Sequence, residues 1–256
     1  MEINGRKYGS SEPTMPEIKE KHTSSSKTLN LGKVFGIMFI WLLITAGVSF
    51  GFAALFYNWL GDKPYNETAE ATLYGFMIGS GILLLILTFV IQFFALKKGK
   101  GMIILSSIYV ILMGILCSSM ILFIEGWILG SALGISSAIF LVLAIIGLIA
   151  KNVKPIAVIG IMLIVGAALT ALITWLIILI GGISGEAVGI LWIVDFAMFG
   201  GMLLLIIVDM NQIGKICEMG EVSTNLTLYC ALTLYTDFIY IFIKIAYYLA
   251  VAYSKR

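Results

Sequence analysis

Seven uninterrupted apolar runs constrain this chain more than any other feature of it. They cover approximately residues 33–57, 71–96, 102–124, 130–150, 155–181, 187–213 and 225–252. Each is near the roughly 20 residues that an α-helix needs to cross a bilayer. In hydrocarbon, every backbone N–H and C=O must be satisfied inside its own segment or by closing a barrel. These runs are continuously apolar rather than alternating, which selects helices over barrel strands. Composition points the same way: 61% of residues are hydrophobic and only 12% charged, where a soluble domain carries about a quarter. The expected fold is therefore an all-α integral membrane protein, a seven-transmembrane-helix bundle over 31–256 behind a polar tail at 1–30. The tail is rich in Ser, Lys and Glu and reads as disordered and solvated. It lacks the short apolar core and cleavage site of a signal peptide, so it is expected to stay attached.

Lysine and arginine placement sets the orientation. Six lie in the tail up to Lys33, three in the second connection (Lys97, Lys98, Lys100), two in the fourth and one in the sixth. The other side has Lys63, Lys255 and Arg256. Twelve against three puts the amino terminus in the cytoplasm. An odd number of spans then leaves the carboxyl terminus outside, although the terminal Lys255–Arg256 pair opposes that and a re-entrant last helix would reverse it. Glycines recur four apart at Gly47/Gly51, Gly75/Gly79 and Gly126/Gly130/Gly134. Such spacing lets helix backbones approach closely in lipid, and these rows are expected to pack the bundle.

Several chemistries are excluded or unsupported. The single histidine, His22, lies in the tail, leaving the membrane region without an imidazole for acid–base or metal work. The Gly182-Ile183-Ser184-Gly185 match to a serine-protease motif therefore lacks a base. Cys117, Cys217 and Cys230 are too few and too scattered for a metal cage or disulfide framework, and Cys117 and Cys230 read as packing residues. The net charge of +2 is scattered, so no nucleic-acid partner is expected, and no cofactor is implied. The partners expected are the lipid bilayer itself, protons and cations, and other membrane proteins.

Charges inside the spans carry the chemistry, because an ionised side chain at mid-membrane costs about 2.5–3.5 kcal/mol on insertion scales. The four candidates are Asp195, Asp209, Asp237 and Lys244. The turn between the last two spans centres near residue 222 or 223, so Asp209 and Asp237 each stand about fourteen residues from it. If span six continues as helix past Asn211-Gln212, an antiparallel hairpin places the two carboxyls level. Two carboxylates about 4 Å apart repel by about 4 kcal/mol at an effective dielectric constant near 20. That is enough for the pair to hold a single proton in a coupled titration that can reach neutral pH. Such a pair can act as a pH-sensitive latch, and its ionised oxygens can receive a hard cation such as calcium. Alternatively, Asp209 with Asn211, Gln212 and Lys215 marks an ordinary interface at the end of span six. Asp237 and Lys244 share one face of span seven with Tyr240 between them, which is either a polar lane into the bundle or a lysine snorkelling to the headgroups. Asp195 either guards an outer vestibule or reaches the interface.

An intramembrane aspartyl protease also places one Asp on each of two adjacent spans. Here Asp237 follows Leu-Tyr-Thr rather than Gly-x-Gly, and no Pro-Ala-Leu segment comes after it. A non-conducting protein that binds membrane partners through its glycine faces is a further alternative.

Two stretches carry a resemblance. Val208-Asp209-Met210-Asn211-Gln212-Ile213 closes span six, and Ala231-Leu232-Thr233-Leu234-Tyr235-Thr236-Asp237-Phe238-Ile239-Tyr240-Ile241-Phe242 lies in span seven. Together with the span count and the Glu125-Gly126 turn, the chain resembles the Bax inhibitor family over about residues 30–252. The resemblance implies a seven-helix bundle with the last helix central. It also implies that Asp209 and Asp237 form a di-aspartyl pH sensor gating a calcium leak and bind calcium transiently. Eukaryotic relatives are linked to suppression of cell death, and bacterial relatives lie in the plasma membrane. Relatives can supply an arginine near the end of span two as partner to the Asp of span six. Here only Lys97 and Lys98 are available, without arginine's bidentate fork, and Val208 stands where a tyrosine is common.

Overall fold

Because lipid offers the backbone no hydrogen-bond partners, each apolar run satisfies its own amides and forms one unbroken helix. The computed structural model of the chain describes residues 17–60, 67–95, 101–181, 185–218 and 222–254. They form α1 (Glu17–Leu60), α2 (Glu67–Ala95), α3 (Gly101–Phe123), α4 (Gly126–Ile149), α5 (Lys154–Gly181), α6 (Gly185–Glu218) and α7 (Thr224–Ser254). All seven contain a stretch long and apolar enough to cross a membrane, and among the described residues there is no strand. The protein is a seven-helix integral membrane bundle.

Three boundaries differ from the sequence expectation. Helix α1 starts at Glu17, inside the stretch expected as a tail, while its membrane-length part begins at Asn30. The α3–α4 connection is only Ile124-Glu125, because the Glu125 carbonyl already accepts from Ile128 N (3.0 Å) and Leu129 N (3.2 Å) to start α4. Helix α6 runs on past Asn211-Gln212 to Glu218; its extension carries the buried Ile213 and Cys217 toward the core, which supplies the reason to stay helical.

Helix α7 packs against α1, α2, α3, α4 and α6. Over half of its membrane-length window is enclosed (56%), against 11% for α5. The core along it includes Leu234, Tyr235 and Ile241, fully buried. Tyr235 meets Trp41 of α1 edge-on, with ring centroids 6.2 Å apart, and its hydroxyl shares a 2.5 Å hydrogen bond with the Thr45 hydroxyl. Phe238 meets Phe140 of α4 in the same way at 5.6 Å. Aromatic edge-to-face pairs of this kind add about 0.5–1.5 kcal/mol beyond their buried area.

The expected glycine rows do not pack the bundle. A methyl built on Gly47, Gly51, Gly75, Gly79, Gly126, Gly130 or Gly134 would meet nothing within 4 Å. Close approaches fall elsewhere. A Cβ on Gly114 of α3 would sit 2.7 Å from the Val48 Cβ of α1. Gly160 of α5 and Gly201 of α6 face one another, with a Cβ on Gly201 reaching 3.0 Å from the Gly160 carbonyl. Four-residue spacing puts glycines on one helix face, but helix rotation decides whether that face meets a neighbour or lipid. All three cysteines are buried and free.

Candidate functional site

Helices α6 and α7 carry two groups of charged side chains at different depths. Nearer their connecting turn are Asp209 and Asp237. The helix ends at Glu218 and Thr224 centre the turn at residue 221, slightly before the position expected from sequence. Asp209 is therefore 12 residues from the turn and Asp237 is 16, an axial offset of about 6 Å at 1.5 Å per residue. The two positions are not level. Cα–Cβ bonds tilt toward the helix amino terminus, so on antiparallel helices the two side chains lean toward each other and shorten that offset.

The two environments differ. Asp237 is 7% exposed, and its Oδ2 is buried without a hydrogen-bond partner. Asp209 is half-buried, between the core residues Ile206 and Ile213 on its own helix. Among the described residues neither carboxyl has an ion-pair partner. A buried carboxyl oxygen with no donor is costly, and the cost is relieved only by a proton, a water or a cation. Lys97 and Lys98 lie outside the described residues. Gln212 is exposed one turn beyond Val208, and Lys215 is exposed as well.

Asn211, which the alternative sequence reading placed at an ordinary interface, is instead buried and supports this region. Its Nδ2 donates to the carbonyls of Gly147 (2.9 Å) and Ala150 (2.6 Å). Gly147 lies in the last turn of α4 and Ala150 is its C-cap, where carbonyls have no intrahelical N–H to receive. The side chain of one helix thus caps another. Gly147 makes the contact geometrically feasible: a Cβ there would stand 2.7 Å from both the Ile207 carbonyl and the Met210 Cβ. At the same end of the bundle, Asn30 of α1 donates to the Cys217 carbonyl at 3.2 Å. Ser136 of α4, wholly buried, has an unpartnered hydroxyl oxygen.

The second group is at the far end of the pair. Lys244 of α7 forms an ion pair with Asp195 Oδ1 of α6, and the Tyr248 hydroxyl donates to Asp195 Oδ2 at 2.8 Å. Lys244 therefore has a protein partner, rather than reaching only for headgroups or facing Asp237. Tyr240 does lie between Asp237 and Lys244, with its ring 6.2 Å from that of Phe199 on α6. Aromatic rings surround the ion pair: Phe196 stacks on Tyr248 at 4.8 Å and Trp192 on Tyr247 at 6.0 Å. Tyr248 and Trp192 were missed from sequence. The available signal was opposite charge in the far halves of one helical hairpin, Asp195 standing 26 and Lys244 23 residues from the turn centre. Among the described residues no three His, Cys, Asp or Glu side chains gather as a metal cage.

A bundle of seven membrane-length helices, with a buried carboxyl oxygen that has no partner among the described residues, defines a polytopic membrane protein. Residues 28–254 match the family described as inhibitor of apoptosis-promoting Bax1, so the chain belongs to the Bax inhibitor family. No curated protein matches it significantly.

Proposed function

We propose that the protein is a proton-regulated cation leak, chiefly for calcium, in which Asp209 and Asp237 are the proton sensor and gate. The observation that carries this reading is the Asp237 carboxyl: 7% exposed, with Oδ2 unpartnered among the described residues and Asp209 on the neighbouring helix about four residues out of register. Carboxyls placed in this way share a proton rather than titrating separately. Loss of that proton puts two like charges on neighbouring helices and drives them apart; a hard cation reaching the same oxygens neutralises them. Family membership supports a membrane protein of this family. By the lysine and arginine count, the amino terminus is cytoplasmic, and in a bacterial cell the protein resides in the plasma membrane. It acts as a conduit, not a catalyst.

The test is calcium flux into liposomes across a range of pH, comparing wild type with Asp237→Asn. Asparagine is nearly isosteric and cannot exchange a proton, so the flux of the variant should no longer follow pH. A variant whose flux tracks pH as wild type does would remove the sensor role.

One observation favours a second reading, a non-conducting interaction protein. The rows Gly126/Gly130/Gly134 and Gly75/Gly79 are open and exposed, and such faces suit close approach by a helix of another membrane protein. Absence of flux together with a stable co-purifying partner would favour it.

A further inference from the structure

The Asp195–Lys244 pair is too open to be read only as a strap between helices. Its side chains keep 22% (Lys244) and 29% (Asp195) of their surface exposed, and both border a cavity of about 680 Å³. The cavity lies between α2, α3, α6 and α7, and apart from Asp195, Lys244 and Ser119 its walls are hydrophobic or aromatic side chains, among them Trp192 and Tyr247. A water takes about 30 Å³ in the liquid, so this volume admits a cation with part of its hydration shell.

The oxygen chemistry around the pair suits such an ion. Asp195 offers a carboxylate, the best single ligand for a hard cation. The Tyr248 hydroxyl, while donating to Asp195 Oδ2, keeps lone pairs for an incoming ion. The Ser119 hydroxyl on the cavity wall donates to the Leu116 carbonyl at 2.7 Å and is likewise able to accept. Lys244 fills the position a cation would take, yet among the described residues it is held there by Asp195 alone, on a stem of four methylenes with several rotatable bonds. An ammonium held in that manner is a built-in competitor.

We propose that Asp195, with Tyr248 and Ser119, forms a second cation site whose resting occupant is the tethered Lys244 ammonium, and that a divalent cation entering the cavity binds by displacing it. Asp195 lies fourteen residues from Asp209 along α6, about 21 Å at 1.5 Å per residue. The site therefore stands or falls independently of the proton sensor.

Terbium is a suitable probe, because it seeks the same hard oxygen ligands as calcium and Trp192 on the cavity wall sensitises its emission. Titrations use purified protein carrying Asp209→Asn and Asp237→Asn in nanodiscs, so that the sensor carboxyls contribute nothing, and the Asp195→Asn comparison subtracts the remaining carboxyls. Lys244→Met leaves Asp195 without its counter-ion and should tighten terbium binding by about tenfold or more. Adding Asp195→Asn to that variant should return it to the starting affinity. A folded Lys244→Met protein with no gain, or a gain that survives Asp195→Asn, overturns the proposal. Should Lys244→Met not fold, the unmutated protein decides: calcium should raise the labelling of Lys244 by an amine-reactive reagent, read by mass spectrometry, relative to the other lysines. Labelling of Lys244 indifferent to calcium would equally overturn it.

Discussion

Removing the Asn211 amide should weaken the whole bundle through a helix that Asn211 does not belong to. The side chain donates two interhelical hydrogen bonds, to Gly147 O and Ala150 O, and it is 5% exposed. Hydrogen bonds between helices in membranes average about 0.6 kcal/mol and reach about 1.7 kcal/mol. Two of them, with carbonyls left bare at a helix end, give about 1–3 kcal/mol for Asn211→Ala. Part of that loss is offset because Asn211 Oδ1 is itself buried without a partner, so the lower half of the range is expected. Asn211→Asp should be worse than alanine although it is closer in shape. It turns a donor into an acceptor facing two carbonyl oxygens, and buries a charge beside them. The assay is reversible unfolding in mixed micelles, with stability read from helical circular dichroism against the mole fraction of denaturing detergent. An alanine variant within about 0.5 kcal/mol of wild type, or an aspartate variant as stable as wild type, would show that the α4 carbonyls do not depend on Asn211.

Two further perturbations test packing. Gly201→Ala should destabilise the α5–α6 contact by about 1–3 kcal/mol, since its methyl would meet Ile164 Cγ1 at 2.8 Å and the Gly160 carbonyl at 3.0 Å. Gly166→Ala, where nothing stands within 4 Å, should be neutral or slightly stabilising; the same unfolding assay separates them. Tyr235→Phe and Thr45→Val each remove one end of the buried 2.5 Å hydrogen bond. Each should cost about 0.5–1.5 kcal/mol, and the double variant should cost less than the two together.

The span count was readable because bilayer thickness fixes it: a run of about 20 apolar residues has few other uses. Boundaries were blurrier where helices outrun the membrane, as α1 and α6 do, since propensity and packing rather than lipid then set their ends. Asp237 was conspicuous from sequence as a carboxyl among apolar and aromatic residues. Its depth relative to Asp209 was not, because a shift of one or two residues in the turn moves the pairing by a full residue step on each arm. Lys244 shows the remaining difficulty. On its own helix it shares a face with Asp237, but its partner comes from α6, 49 positions away, and helix rotation rather than local spacing makes that choice. The glycine rows mislead for the same reason.

Helix α5 is held in an unusual way. It packs chiefly on α6, with Gly160 set against Gly201, and nearly all the rest of its circumference faces outward: Val158, Met162, Leu169, Leu172, Trp175 and Leu179 are all more than half exposed. Tight backbone contact on one side and acyl chains on the other leave α5 little freedom of its own. Any swing or twist of the carboxyl-bearing helix tows it through the bilayer like a keel, so the viscosity and thickness of the surrounding lipid act as a drag on that motion.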